Sequence, residues 1–482
     1  MANNPNSKGP GDRMAFLSGL LSSIADRGRT MLRKRGETTV GSLLLPAPGA
    51  RSLIELCNVL LEGHGEASRV ALAVEILARY RGLKDAGRRD FLVALAEGFG
   101  PDSVRLSKAI DAYLANPDAK NCAELHDATE PRRLELLRRL NLAPLGTLTL
   151  VRMREELFKH TAQYPVLSAL DQDFVHLFLS WFNRGFLVLR QIDWTTPANI
   201  LEKIIRYEAV HQIHDWNDLR RRLEPADRRC FAFFHPQLVD EPLIFVEVAL
   251  VPAIADNIAN LLVEEREIVA PEDATAAVFY SISNCQKGLR GISFGDFLIK
   301  QVVQELSHDL TNIKAFVTLS PVPGFANWMK KERAKSEGSA LSPAQLEVLT
   351  ALDQPGWADD AKAKKALKPV VMSAAALFLL TGKSGSGKPL DPVARFHLGN
   401  GARLERVNWL ANVSPRGIEE SFGVMVNYLY DLPSIEANHE AFEREGLVIH
   451  SAEVEALLPQ VPAEASAAPV RGRGALARLV RR

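Results

Sequence analysis

Ser320 carries a hydroxyl group that could do chemistry, and prolines restrict the backbone just after it. It lies in the stretch Thr318-Leu319-Ser320-Pro321-Val322-Pro323-Gly324-Phe325. The apolar run Ala315–Leu319 before it predicts a short buried strand, and the two prolines and the glycine after it predict a turn. We expect Ser320 to be presented at the carboxyl end of that strand, the edge where open α/β sheets bind ligands. Considered alone, the stretch fits a serine that merely opens a Pro-rich loop better.

His397 is a second candidate, in the block Asp391-Pro392-Val393-Ala394-Arg395-Phe396-His397-Leu398-Gly399-Asn400-Gly401-Ala402. Asn400-Gly401 between alternating runs predicts a β-hairpin. Alternation would place Ala394, Phe396 and Leu398 on one face and His397 near the other face or the turn. An isolated histidine is more often a satisfied structural residue, so His397 depends on its neighbours for a role.

The loop Gln286–Gly295 has the composition of a phosphate-binding loop. It places Lys287, Arg290 and three glycines (Gly288, Gly291 and Gly295) at the start of a predicted helix, where unpaired backbone N–H groups suit an anion. The glycines would let the backbone approach a pyrophosphate closely. An ordinary structural turn fits such a loop about equally well.

These residues belong to one predicted strand-loop-helix-strand unit. Strand Ala276–Ser283 leads into the loop, a helix near Phe294–Leu306 follows, and the unit ends on strand Ala315–Leu319. Ser320 then lies one strand away from the loop. A long ligand would fit with its phosphates at the loop and its reactive end at Ser320, and an acyl-CoA has that shape.

Composition excludes several classes of protein. The 482 residues are 47% hydrophobic and 24% charged, as in soluble globular enzymes. Lys+Arg and Asp+Glu balance at 58 each, so the chain has no net positive charge that would attract nucleic acid or an anionic membrane. The longest nearly apolar run, Val370–Leu380, is about half of a bilayer span. Four scattered cysteines indicate free thiols in a reducing compartment and no zinc cage.

The chain divides into four predicted segments. An amphipathic, flexible N-terminal segment covers 1–37, and helical periodicity over 38–183 predicts a helical bundle. Strand-rich runs then alternate with helices over 184–458, and a basic tail over 459–482 is predicted to be disordered. The predicted fold class is α+β, with an all-helical domain before a mixed α/β domain.

Three of these stretches resemble the malonyl-CoA decarboxylase family: the loop Gln286–Gly295, the turn Thr318–Phe325, and the block from Phe396-His397-Leu398 through Asn427-Tyr428-x-Tyr430. The resemblance runs in unbroken order from Phe186 to Asp431. It implies a helical oligomerisation domain, a catalytic domain of GNAT acetyltransferase type, and conversion of malonyl-CoA to acetyl-CoA and CO2. It also implies no metal and no cofactor beyond the CoA of the substrate.

The resemblance also assigns residues. It implies that Ser320 and His397 are the catalytic pair and, more weakly, that Tyr430 is a supporting hydroxyl. We expect Ser320 to hydrogen-bond the malonyl group and take part in proton exchange, and His397 to be the proton donor to the enolate. The acyl-CoA loop falls on Arg290, Gly291, Ile292, Ser293, Phe294, Gly295 and Asp296. Ser293 stands where the general acetyltransferase loop has its first glycine.

The partners that the resemblance implies are malonyl-CoA, acetyl-CoA and further copies of the chain, as a dimer or tetramer through the helical domain. Neither nucleic acid nor membrane is expected, and cytoplasm is the expected compartment. Two rival functions are a GNAT-type CoA-dependent acyltransferase and a non-catalytic acyl-CoA-binding scaffold.

Two other motifs are weaker candidates. Gly382–Pro389 nearly matches a P-loop, but Pro389 stands where a magnesium-binding Ser or Thr is needed, so a flexible loop is favoured. His211-x-x-His214-Asp215 has the spacing of metal ligands on a helix face. No third ligand is evident nearby, which favours surface histidines at a helix end.

Overall fold

The computed structural model describes residues 50–62, 65–292, 298–385 and 387–459. The predicted segment 1–37 and nearly all of the predicted tail therefore lie outside the described residues. Packing divides the chain into two compact units, of which the first is Met1–Glu247 with Ser281–Val302 and the second is Val248–Tyr280 with Val303–Arg482.

The first unit opens with a helical bundle, as predicted. Within the described residues its helices are α1 (Ala50–Glu62), α2 (Glu66–Gly82), α3 (Asp85–Gly98), α4 (Ser103–Ala115), α5 (Ala119–Thr129), α6 (Arg132–Leu140), α7 (Gly146–Phe158) and α8 (Leu167–Trp181). The apolar stripes seen in the sequence are buried, for example Leu56 and Leu60 of α1 and Leu77 of α2. A buried ion pair between Arg133 of α6 and Asp173 of α8 joins two of these helices.

Strands begin after the bundle. A 3-10 turn (Arg184–Phe186) leads to β1 (Val188–Ile192), then come α9 (Ala198–Tyr207), α10 (Trp216–Leu223), β2 (Arg228–Phe234) and β3 (Pro242–Val251). β1 and β2 pair antiparallel, and α9 packs its apolar face on them in one core that contains Ile200, Ile204 and Phe234. The order of a helical part followed by a mixed α/β part is confirmed.

Helix α9 ends at Tyr207, before the histidine motif His211-x-x-His214-Asp215. Glu208 follows it in an extended conformation, and its carboxylate accepts the N–H groups of Val210 and His211 at 2.8 and 2.7 Å, which turns the chain out of the helix. His211 and His214 therefore do not share a helix face. Asp215 instead caps α10 by accepting the N–H of Asp218.

The second unit holds most of the remaining sheet. Its strands are the end of β3, the first part of β4 (Ala276–Asn284), β5 (Ala315–Thr318), β6 (Ser320–Pro321), β7 (Arg403–Asn408) and β8 (Met425–Leu429). The hydrogen-bonded order is β1-β2-β3-β4-β5-β8-β6, with β7 paired to β8. β4 and β5 are parallel and are connected through α12 (Leu298–Asp309), as the predicted strand-loop-helix-strand unit requires.

The other described helices of this unit surround the strands. They are α11 (Ala259–Leu262), α13 (Phe325–Arg333), α14 (Pro343–Leu349), α15 (Ala361–Thr381), α16 (Pro392–Gly399), α17 (Pro415–Ser421), α18 (Ile435–Glu445) and α19 (Ala452–Glu455), with 3-10 turns at Pro271–Asp273 and Thr350–Asp353. In the part of the chain that the structure describes, no helix is long and apolar enough to cross a membrane.

The P-loop alternative fails on its structural context. The loop Gly382–Pro389 follows helix α15, whereas a P-loop needs a strand before it. Lys383 also bridges to Pro389 as an isolated antiparallel pair, and its ammonium donates to the carbonyl of Gly446 at 2.8 Å.

The predicted hairpin around Asn400-Gly401 is wrong, because Pro392–Gly399 is helix α16. Asp391 accepts the N–H groups of Val393 and Ala394, and Pro392 at the first helical position has a backbone angle suited to a helix. Asn400 caps the other end, and Gly401 takes the left-handed φ of +79°. The Asn-Gly pair thus ends a helix instead of turning a hairpin.

Candidate active site

Ser320 is buried, contrary to the expectation that it is presented. Strand β5 stops at Thr318, and Ser320 then pairs antiparallel with Val426 of β8 as part of β6. This pairing leaves its side chain 5% exposed and delays the turn until after Pro321. The position near the carboxyl end of β5 agrees with the prediction.

The structure brings the three predicted catalytic residues together. His397 on α16 has Nε2 3.1 Å from Oγ of Ser320 and Nδ1 2.7 Å from the hydroxyl of Tyr430. Tyr430 directly follows β8 and is 1% exposed, and His397 is 3% exposed. One imidazole therefore joins two hydroxyls that come from separate stretches of the chain.

The hydrogen-bond directions assign the tautomer of His397. The Ser320 hydroxyl donates to Oγ1 of Thr318 at 2.8 Å, so its oxygen is free to accept from the imidazole. Nε2 then carries the proton and donates to Ser320, and Nδ1 accepts the proton of the Tyr430 hydroxyl. The arrangement is a continuous series from Tyr430 through His397 and Ser320 to Thr318.

Burial keeps His397 uncharged. Removal from water lowers the pKa of His397 from its usual 6.5 to about 3, so the imidazole is neutral at physiological pH. Its ring stacks on Tyr428 with centroids 4.7 Å apart. Burial likewise raises the pKa of the Tyr428 hydroxyl, which has no hydrogen-bond partner among the described residues.

Asp391 ties the two halves of the site together. One carboxylate oxygen caps α16, the helix of His397, and the other accepts the N–H of Gly324 at 3.1 Å in the turn after Ser320. Sequence reasoning assigned roles to neither Asp391 nor Thr318. An Asp before a proline is an N-cap signal, and Thr318 shares a strand face with Ser320 by its spacing of two, so both had a usable signal.

The predicted acyl-CoA loop is described only in part, in the first unit. Arg290 is exposed, Gly291 has a left-handed φ of +80°, and Ile292 is buried. A Cβ built at Gly291 would meet no atom of the described residues within 4 Å beyond the chain neighbours. The predictions for Ser293, Phe294, Gly295 and Asp296 lie outside the described residues.

Gly288 does not serve the purpose predicted for it. A Cβ at this position would lie 1.9 Å from the carbonyl oxygen of Val151 in α7, so helix packing requires the glycine. The same packing buries Gly288, whereas Lys287 and Arg290 stay exposed. Of the described stretch 286–292, only Lys287, Arg290 and Gly291 are exposed.

The metal-site alternative at His211 and His214 finds no support. Among residues 50–62, 65–292, 298–385 and 387–459, no three His, Cys, Asp or Glu side chains converge in a way that would hold a metal ion.

Comparison with known proteins matches the chain over most of its length. The model of the malonyl-CoA decarboxylase N-terminal domain matches residues 99–182, and that of the malonyl-CoA decarboxylase C-terminal domain matches residues 185–468. Mitochondrial malonyl-CoA decarboxylase of Anser anser anser is 36% identical over 403 residues, which are 77% of this chain and 80% of that protein. The Mus musculus protein of the same name is 32% identical and covers 88% of this chain and 92% of its own length.

Solved structures give the same result. The crystal structure of malonyl-CoA decarboxylase from Rhodopseudomonas palustris is 57% identical with a TM-score of 0.83, and covers 85% of this chain and 100% of its own. The Agrobacterium vitis structure is 54% identical with a TM-score of 0.82 and the same coverage. The chain therefore belongs to the malonyl-CoA decarboxylase family, a family of carboxy-lyases.

Proposed function

We propose that this chain converts malonyl-CoA to acetyl-CoA and CO2 at the cluster of Ser320, His397 and Tyr430. The hydrogen-bonded series from the Tyr430 hydroxyl through both ring nitrogens of His397 to Oγ of Ser320 carries this proposal. Such a series can move a proton along its length and leave the imidazole neutral, because each group that gives up a proton receives one from the next.

The reaction needs one proton and a place for one electron pair. When the bond between the malonyl carboxyl carbon and Cα breaks, CO2 leaves and its electron pair stays on Cα as a thioester enolate. Cα then takes a proton to become the methyl group of acetyl-CoA. The thioester carbonyl accepts the electron pair, so the reaction we propose uses no metal and no further cofactor.

The described residues supply that proton in a relay. Ser320 first hydrogen-bonds the malonyl group, and its hydroxyl proton passes to Cα of the enolate. The Nε2 proton of His397 replaces the one that Ser320 gives up, and the Tyr430 hydroxyl protonates Nδ1 in turn. Solvent finally returns a proton to Tyr430. His397 donates to the enolate through Ser320 in this scheme and need never become an imidazolium, in agreement with its lowered pKa.

The phosphates of CoA are assigned to the loop that carries Arg290. The exposed Arg290 and Lys287 side chains provide positive charge, and Gly291 has no side chain to keep an anion from its backbone N–H. The remaining loop residues up to Asp296 belong to this assignment through the family resemblance.

Two further properties belong to the proposal. Self-association through the helical bundle is supported by exposed apolar side chains on α4, of which Val104 and Leu114 are 63% and 75% exposed. A cytoplasmic location is supported by four free cysteines, the state expected of thiols in a reducing compartment. Light scattering of the purified chain and cell fractionation test these two points.

One assay separates the proposed function from its rivals. Malonyl-CoA labelled in its free carboxyl carbon is incubated with the purified chain and no acyl acceptor. We expect labelled CO2 and unlabelled acetyl-CoA in equal amounts. Turnover that depends on an added amine would identify an acyltransferase, and binding without turnover would identify a scaffold.

The matched variants for this assay are Ser320→Ala and Ser421→Ala. Both serines are buried in the second unit, but the Ser421 hydroxyl only bonds backbone carbonyls of Gly417 and Val424. Loss of CO2 release in Ser320→Ala alone supports the proposed site. Normal turnover of Ser320→Ala would remove Ser320 from the mechanism.

A further inference from the structure

Helix α7 of the bundle holds the backbone of the candidate acyl-CoA loop. Arg154 lies on this helix and is 3% exposed. Its Nη1 donates to the carbonyl oxygens of Gly288 and Arg290 at 2.8 and 2.9 Å. A single buried guanidinium thus fixes two peptide groups of the loop.

The guanidinium of Arg154 is itself held in place. Its Nε donates to Asp171 of α8 at 2.7 Å, and its centre lies 4.8 Å from the ring of Phe158. The guanidinium of Arg290 lies 4.4 Å from the same ring. Cation-π contact therefore places the exposed cation of the loop on the helix that anchors its backbone.

A second, independent contact seats the loop on α7. Gly288 approaches the backbone of Val151 so closely that any side chain would collide with the carbonyl oxygen. The loop is thus held on one turn of helix by a glycine contact and on the next by the Arg154 hydrogen bonds.

The Arg154 contact also orients an unused donor. In a planar trans peptide the C=O and the following N–H point in opposite directions. Because the Arg290 carbonyl points at Arg154, the N–H of Gly291 points away from α7. This N–H has no hydrogen-bond partner among the described residues, and none of their atoms beyond the two chain neighbours lies within 4 Å of a Cβ built at Gly291.

We infer that Arg154 is a positioning residue for CoA, which holds the Arg290–Gly291 peptide so that the Gly291 N–H and the Arg290 guanidinium meet a phosphate group of the thioester. The inference rests on the proposed function and adds a second task for the helical bundle. Substrate affinity is set in part by a residue that contacts neither the malonyl group nor the phosphates.

The test separates binding from turnover in Arg154→Met, which keeps an unbranched apolar stem. We expect KM for malonyl-CoA and Kd for acetyl-CoA to rise about tenfold, because the loop loses charged hydrogen bonds that preorganise it. The kcat at saturating substrate should stay near that of the wild type. Titration calorimetry with acetyl-CoA gives Kd, and CO2 release gives KM and kcat.

Arg133→Met is the matched control. Arg133 is also a buried bundle arginine with one aspartate partner, and the contacts of its guanidinium are with Asp173 and the Ala96 carbonyl instead of the loop. This variant should lower the melting temperature and leave Kd for acetyl-CoA unchanged. Equal weakening of binding in both variants would show general loosening of the bundle and would overturn the inference.

Further outcomes are also decisive. If the wild type binds and turns over, an unchanged Kd for acetyl-CoA in a folded Arg154→Met overturns the inference and leaves the proposed function intact. A wild type that does not bind acetyl-CoA overturns the proposed function as well. If Arg154→Met does not fold, Arg154→Lys is measured instead. Lysine keeps the positive charge beside Asp171 but lacks the guanidinium geometry by which Nε binds Asp171 while Nη1 binds both carbonyls, so weaker binding is again expected.

Discussion

Two buried histidines of this protein face different partners. His235 lies after β2 and is 6% exposed, with Nε2 3.0 Å from the carbonyl oxygen of Trp181 and Nδ1 accepting the N–H of Gln237 at 3.1 Å. His397 is 3% exposed, and its two nitrogens face the hydroxyls of Ser320 and Tyr430. Burial lowers the pKa of both imidazoles.

The difference shows that a lowered pKa does not by itself mark a catalytic histidine. Neither a backbone carbonyl nor a backbone N–H acts as an acid or base toward an imidazole near neutral pH, so His235 connects the end of α8 to the end of β2. Hydroxyl groups both donate and accept, so His397 can pass a proton in either direction. The chemistry of the partners distinguishes the two sites.

The largest expected difference between the two histidines is in turnover. His397→Asn should lower kcat about 100- to 10,000-fold, because the relay loses its central donor. His235→Asn should keep kcat at temperatures where it is folded. CO2 release from malonyl-CoA measures both. Comparable kcat values for the two variants would contradict the assignment of His397.

Replacement of His235 should lower the stability of the fold instead of turnover. His235→Ala leaves the Trp181 carbonyl and the Gln237 N–H without their partner and should cost about 1–3 kcal/mol of unfolding free energy. Urea denaturation followed by circular dichroism measures this. His235→Asn is the milder companion variant, and a smaller loss than in His235→Ala is expected. No loss in either would mean that water replaces the imidazole without cost.

Acidification should destabilise the protein through both histidines. An imidazole whose pKa is lower in the folded state binds its proton mainly after unfolding, so its contribution is complete above pH 6.5 and falls as the pH drops. For His397 the loss extends from 6.5 to about 3, at about 1.4 kcal/mol per pH unit. Urea midpoints at several pH values measure the slope, and His397→Asn should reduce it. An unchanged slope would place a charged His397 in the folded state.

The smallest effect is expected from the two tyrosines beside His397. Tyr430→Phe removes the partner of Nδ1 and should lower kcat about tenfold. Tyr428→Phe removes a hydroxyl without a partner among the described residues and should leave kcat and stability nearly unchanged. The same CO2 assay compares them. A large loss in Tyr428→Phe would reveal a contact between that hydroxyl and the substrate.

Much of the fold is readable from local patterns. The apolar periods predicted the bundle helices, and the run Ala315–Leu319 predicted β5 to within one residue. The unit from β4 through α12 to β5 followed from alternating element types. These features depend on side chains and neighbours close in sequence, for which period and composition carry the information.

Errors arose where a local signal fits two structures. Asn400-Gly401 is typical of a hairpin turn and also of a helix C-cap, since both need a left-handed residue. Asp391 and Pro392 form the start of a helix whose end is Asn400-Gly401, and this helix start favours α16 over a hairpin. Ser320 was expected at the surface because its pairing with β8, more than a hundred residues later, has no local signal.

The sequence alone identified Ser320, His397 and Tyr430 and the family to which the chain belongs, because the motif residues and their spacing are visible in the sequence itself. Only the tertiary structure decided how these residues are used. It places His397 between two hydroxyls, directs the Ser320 hydroxyl hydrogen bond to Thr318, and seats the Arg290 loop on Arg154. These contacts join residues 2 to 136 positions apart, and the direction of a hydrogen bond across such a distance depends on packing that no single segment encodes.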